Sequence, residues 1–173
     1  MSNINALGLE DKSPQGFVDE DIIPLLDILN KKYETRSSCS GRITLMKGVK
    51  KGFAEWIYKD HFNGDFEKIW EIVSNLEDGE SLRFILEPFI IHVRGKTLED
   101  TKEILKITHV NGFKRSGLIS FKTNCIEING TGKMETLVTN QLSKEYMKVL
   151  VDEANRRLQK TKDDIKRLEK LFS

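Results

Sequence analysis

The stretch 141–172 places Met147, Val151, Ala154, Leu158, Ile165, Leu168 and Phe172 three, four or seven residues apart. This spacing fits one stripe of a long α-helix and excludes a strand. Such a stripe has to be covered. Packing across a sheet of the same chain is the expectation, and a dimer seam is the alternative. In the last half of the helix Arg156, Arg157, Lys160, Lys162, Lys166, Arg167 and Lys170 outnumber Asp163, Asp164 and Glu169, a basic face suited to a polyanion.

The rest of the chain alternates between short helical and strand-like segments. Ile22, Leu25, Leu26, Ile28 and Leu29 predict a helix over 19–34, capped by Asp19 or Asp21, with Pro24 tolerated in its first turn. The runs 37–46 and 53–58 flank a Gly/Lys turn at 47–52 and read as a hairpin. Asp65 caps a helix over 65–76, and Asp78-Gly79 then opens a strand over 81–93 that Pro88 interrupts, which predicts an edge or a bulge. Thr97-Leu98-Glu99-Asp100 resembles a capping box and Gly112 a C′ glycine, so 98–111 is a helix, followed by strands at 117–121 and 125–128. Without regular βαβ alternation the class is α+β, with a mixed sheet packed by helices. The predicted organisation is a polar N-terminal extension over 1–18 and one domain over 19–173, since 173 residues suit one main core.

Several function classes are excluded. No run approaches about 18 consecutive apolar residues, so no membrane span is expected. Residues 1–20 lack a basic start and a long apolar stretch, so the expected location is the cytoplasm. Cys39 and Cys125 are too few for a disulfide framework or a four-thiolate zinc site and are expected as free thiols. His61, His92 and His109 have no HExxH context, and no metal is expected. Gly95-Lys96-Thr97 lies between a strand and a helix, but a phosphate loop needs a glycine where Ile90 stands. Gly130-Thr131-Gly132 lacks the third glycine of a dinucleotide fingerprint. Residues 1–27 carry six acidic side chains against Lys12, a net −5, which leaves +6 on the remainder out of a total of +1. That bias favours a polyanionic partner only slightly.

The dense segment is Thr35-Arg36-Ser37-Ser38-Cys39-Ser40-Gly41-Arg42-Ile43. Small side chains let a ligand approach the backbone, hydroxyls add donors, and Arg42 can grip a carboxylate or phosphate with two parallel hydrogen bonds. The competing reading is a Ser-rich turn with Cys39 as a small core residue.

The segments 37–43 (SSCSGRI), Trp56 followed by His61, 87–93 (EPFIIHV) and 112–117 (GFKRSG) resemble, in order and spacing, the tRNA wybutosine-synthesising protein 3 family. Ile126-Glu127-Ile128, Gly130-Thr131-Gly132 and Asn155 agree further, so the resemblance spans about 19–170. Arg36 departs from a usual small hydroxylic residue, and Glu135-Thr136-Leu137 lacks a frequent proline. The resemblance implies a compact α+β enzyme, not a Rossmann one, that methylates N4 of a tricyclic wyosine-type base 3′ of the anticodon in phenylalanine tRNA. It implies S-adenosylmethionine as donor. His92 is then the first candidate base and His61 the second, with Glu87 orienting a histidine or taking the proton itself. Ser37, Ser38, Ser40, Gly41 and Arg42 are expected to hold the cofactor, Arg42 on its carboxylate or on the amino-acid arm of the base. Trp56 and Phe89 are expected to stack on adenine or the tricyclic base, and Arg115 and Ser116 to contact substrate. Cys39 is expected to be a packed thiol. A non-catalytic RNA-binding module is the alternative.

Overall fold

The computed structural model describes residues 18–48 and 55–173. In chain order the elements are α1 (Ile23–Asn30), β1 (Glu34–Cys39), β2 (Arg42–Lys47), β3 (Glu55–Asp60), α2 (Phe66–Ser74), β4 (Leu82–Glu87), β5 (Ile90–Arg94), α3 (Leu98–Val110), β6 (Gly117–Ser120), β7 (Cys125–Asn129), β8 (Met134–Val138) and α4 (Lys144–Phe172). The chain is α+β and forms two compact units. The sheet expected to be mixed is instead two four-stranded sheets, β1-β5-β7-β6 and β3-β2-β4-β8, each antiparallel at every pairing.

The cause lies at two backbone positions. Gly41 sits at φ 97°, where an L side chain is strained, and it cuts the run 37–46 into β1 and β2. Pro88, which has no N–H to donate to a ladder, cuts the run 81–93 into β4 and β5. Each run therefore gives one strand to each sheet. Residues 49–52 of the expected turn at 47–52, residues 53 and 54 of the run expected to follow it, and residues 1–17 of the expected polar extension lie outside the described residues.

The first unit comprises 18–40, 89–131 and 161–173. One face of its sheet presents Ile91, Val93, Ile126 and Ile128, all fully buried, against Leu25 and Leu29 of α1, Ile104 of α3 and Ile165 and Leu168 of α4. Helix α1 stops at Asn30, short of the expected 34. The Asn30 side chain accepts from Thr35 N at 2.9 Å and donates to Thr35 Oγ1 at 2.8 Å, which turns the chain into β1. Helix α3 carries the expected capping box: Thr97 Oγ1 accepts from Asp100 N and the Asp100 carboxylate from Thr97 N.

The second unit comprises 41–48, 55–88 and 132–160. Ile43, Leu45, Phe84, Leu86 and Val138 from its sheet pack with Ile69 and Val73 of α2 and with Met147, Val151, Ala154 and Leu158 of α4. Asp65 caps α2 as expected, accepting from Lys68 N. Strand β8 went unread in the sequence. Within this unit Asn155 of α4 accepts from Gly64 N at 2.7 Å and donates to Gly64 O at 3.1 Å. A Cβ at Gly64 would stand 3.0 Å from Ile43 Cδ1, so the close approach requires glycine.

The stripe of α4 is thus core within the chain, with Thr161 (3% exposed) filling the step between Leu158 and Ile165. Among the described residues no helix is long and apolar enough to cross a membrane. Cys39 and Cys125 form no disulfide.

Two substitutions test these joints in urea denaturation. Gly41→Ala is expected to lower unfolding free energy by about 1–2 kcal/mol, the strain of an L side chain in that region. Asn155→Ala, which strips both partners from Gly64, is expected to cost about 1–3 kcal/mol. A wild-type midpoint in either variant would contradict the corresponding role.

Candidate active site

Alternation along β5 and β7 decides which side chains leave the core of the first unit. Ile91 and Val93 point inward, so His92 points outward; Ile126 and Ile128 point inward, so Glu127 points outward. His92 and Glu127 are direct cross-strand partners. His92 Nε2 lies 3.2 Å from Glu127 Oε2, and each side chain is 29% exposed. Two residues further along the same face, Asn129 Nδ2 donates to Glu127 Oε1 at 2.7 Å.

Strand β1 supplies the third member through an irregularity. Thr35 pairs with Val93 and Ser38 with Ile91, so Arg36 and Ser37 together oppose His92. Such a bulge re-aims one side chain. In a regular ladder Ser37 would fall on the core face opposite Ile91; here its Oγ lies 2.6 Å from His92 Nδ1.

The direction of the hydrogen bonds follows from donor chemistry. A carboxylate only accepts, so in the neutral imidazole the proton sits on Nε2 and is donated in a hydrogen bond to Glu127. Nδ1 is then an acceptor, and Ser37 donates its hydroxyl proton to it. The remaining lone pairs of the exposed Ser37 Oγ are left for an incoming donor. Beside Glu127 the ladder partner on β6 is Gly117, and no atom lies within 4 Å of where a Cβ would stand there. Arg36 and Arg94 flank the group, bridging to Glu34 at 2.9 and 3.6 Å. Burial pushes the nearby Cys125 thiol above its ordinary range, opposed by these two guanidinium groups.

The other candidates fall into three sets. Ser40 is fully buried: its N–H donates to Asp19 Oδ2 at 2.7 Å and its Oγ accepts from Lys162 Nζ at 2.8 Å, while Lys162 pairs with Asp21 at 2.5 Å. Its N–H and Oγ are engaged in structure; Asp19 stands at the N-cap of the short turn Glu20–Ile22 that leads into α1, as expected, but its side chain bonds Ser40 and makes no cap hydrogen bond. Ser38 and Cys39, at the end of β1, are partly buried. Phe89 is fully buried and meets Phe113 edge to face at 6.0 Å. A stacking platform needs an exposed face, so Phe89 is corrected to a core residue. Ser116 is 4% exposed with its Oγ unpartnered, its carbonyl accepting from His109 Nε2 at 2.7 Å, whereas Arg115 is exposed.

The last set belongs to the second unit. Arg42 and Glu87 are ladder partners, and Arg42 Nε donates to Glu87 Oε2 at 2.7 Å. The Arg42 guanidinium stands 4.3 Å from the centre of the Trp56 ring, and Lys59 Nζ stands 4.8 Å from it. Trp56 is 39% exposed. Glu87, expected to orient a histidine, therefore holds an arginine, and the carboxylate on His92 is Glu127. His61 follows β3 in this unit. Glu127 and Asn129 were missed as site residues, although Ile126-Glu127-Ile128 carries the same outward-facing signal as Ile91-His92-Val93.

Chemically, the first unit offers a base with an orienting carboxylate and a hydroxyl at its front. The second offers a guanidinium for a carboxylate and an indole for a flat ring.

Comparison with known proteins agrees with this chemistry. The family model described as Methyltransferase TYW3 matches residues 1–173. A Thermococcus sibiricus protein named tRNA(Phe) 7-((3-amino-3-carboxypropyl)-4-demethylwyosine(37)-N(4))-methyltransferase is 36% identical over 172 residues, covering 93% of this chain and 87% of that one. A Danio rerio protein named tRNA wybutosine-synthesizing protein 3 homolog is 32% identical over 179 residues, covering 92% of this chain and 67% of that one. The solved structure of the PH1069 protein from Pyrococcus horikoshii superposes with a TM-score of 0.80 at 35% identity, covering 92% of this chain and 87% of that one. With the whole chain matched by the family model and most of it by these relatives, the protein belongs to the Methyltransferase TYW3 family.

Proposed function

We propose that the protein transfers a methyl group from S-adenosylmethionine to N4 of the tricyclic wyosine-type base 3′ of the anticodon in phenylalanine tRNA, and that it works in the cytoplasm. Membership of the family supports the reaction class, and the relatives' names support the substrate. The observation that carries the reading on this chain is His92, outward-facing and held between Ser37 and Glu127.

When bound, S-adenosylmethionine supplies an electrophilic methyl group on a sulfonium. Transfer to nitrogen is largely a matter of alignment, which the protein provides by holding the partners. The remaining chemistry is one proton on N4. A neutral imidazole suits its removal at neutral pH, and Glu127 both fixes the ring and stabilises the imidazolium that forms.

Residues of this chain fit such a donor and substrate. Arg42, steadied by Glu87, is assigned the methionine carboxylate or the amino-acid arm of the base, because its planar fork matches a carboxylate. Trp56 is assigned adenine or the tricyclic ring. Ser38 and the backbone at Gly41 add small, approachable surface beside Arg42 in sequence. Exposed Arg115 is assigned a tRNA phosphate. Ser40 and Phe89 take no part beyond the fold, and Cys39 needs none, since transfer from a sulfonium requires no covalent enzyme intermediate.

The direct experiment incubates the protein with labelled S-adenosylmethionine and phenylalanine tRNA bearing the unmethylated base, followed by nucleoside mass spectrometry. A gain of one methyl on the tricyclic base is expected; none, from folded protein that binds the tRNA, would overturn the reading. His92→Gln is expected to lower turnover by about 10²–10⁴-fold with tRNA affinity unchanged. Arg42→Lys is expected to raise the constant for the donor or for the base by about tenfold, as the fork is lost. Wild-type constants for both would make Arg42 structural.

A further inference from the structure

We infer that Ser37 is a catalytic residue: its hydroxyl, and not the imidazole itself, meets the substrate nitrogen, with Glu127 and Asn129 as positioning residues behind His92. The inference rests on the methyl-transfer reading and deepens it.

Three observations lead to it. The bulge at Arg36-Ser37 breaks the ladder at the one level where it brings Ser37 onto the face of His92. Both imidazole nitrogens are then engaged, Nδ1 by Ser37 at 2.6 Å and Nε2 by Glu127 at 3.2 Å. A base whose only lone pair already receives a hydroxyl proton reaches a third party through that hydroxyl. Finally, donation converges on the Glu127 carboxylate, from Ser37 through His92 to Oε2 on one side and from Asn129 to Oε1 on the other, which holds the imidazole in one orientation.

The substrate nitrogen forms its bond to the methyl carbon as the carbon–sulfur bond of the sulfonium donor breaks and its electron pair stays on sulfur. The N4 proton passes to Ser37 Oγ while the Ser37 proton passes to His92 Nδ1. The imidazolium keeps its Nε2 proton on Glu127 and later releases the Nδ1 proton to solvent. Ser37 ends as it began.

Glu127→Gln separates this from a merely structural carboxylate. A Gln amide can donate to His92 Nε2, which moves the imidazole proton to Nδ1, and Ser37 then has to accept from Nδ1 instead of donating to it. The fold and both binding sites remain, but the relay points the wrong way.

The test measures single-turnover methylation together with separate binding of S-adenosylmethionine and of the tRNA, for wild type, Ser37→Ala, Ser37→Thr and Glu127→Gln. Nitrogen-15 NMR of the histidines reports the tautomer. Ser37→Ala and Glu127→Gln are each expected to slow transfer about 10²-fold or more while both dissociation constants stay within about twofold. Ser37→Thr, which keeps a hydroxyl, is expected to recover most of the rate. The NMR spectrum is expected to show His92 protonated on Nε2 in wild type and on Nδ1 in Glu127→Gln. A wild-type rate in Ser37→Ala, or a loss confined to S-adenosylmethionine affinity, overturns the relay while the methyl-transfer reading stands. Absence of methylation by wild type overturns both.

Discussion

Every strand needs partners for its backbone N–H and C=O groups, and this chain cannot extend either of its two long β-rich runs through a single ladder. Gly41 holds a φ of 97° within one run, and Pro88 has no N–H in the other. The first run passes into a second sheet after Ser40, and the second run passes from one sheet to the other across Pro88-Phe89. The interruption also resets side-chain alternation. Beyond it Phe89 enters the core of the first unit and its carbonyl accepts from Gly130 N at 3.1 Å, after which Ile91 and Val93 point inward and His92 outward. On the near side Arg42 and Glu87 become ladder partners. Histidine and arginine owe their orientation to the same two backbone positions.

Polar side chains in the first unit divide by what they are already bonded to. Ser40, Asp19, Asp21 and Lys162 bond to one another in a partly buried cluster around the fully buried Ser40, and removing one member would leave its partners underpaired. Ser37, two residues before Cys39 on the same strand, is exposed and donates in one direction only. Two serines three residues apart in a Ser-rich string thus serve different ends, one as a strut and one as an open acceptor. Their composition is identical; their hydrogen bonds are not.

Local signals survived from sequence to structure wherever the physics was local. The Asp65 cap, the Thr97/Asp100 box, the Gly112 terminus and the stripe of α4 each depend on residues within a turn or two of one another, and each was legible. Partners set by strand register were not. Glu87 lies five residues from His92 in sequence and looked like its companion, but pairing places Arg42 opposite Glu87 and Glu127 opposite His92. Strand β8 was missed because Met134 to Val138 alternates weakly, with only Val138 fully buried. Phe89 looked like a stacking residue because nothing in its neighbours says which side of the Pro88 break faces inward.

The bulge on β1 means that the position of Ser37 is written in chain length as well as in residue type. Deleting one residue between Thr35 and Ser38 would let the ladder close in regular register, and whichever residue remained would stand opposite His92 alone. If that were Arg36, the hydroxyl would be gone although His92 and Glu127 were untouched. In this chain the number of residues between the core Thr35 and the serine that faces the histidine is therefore as binding a requirement as the identity of the serine itself.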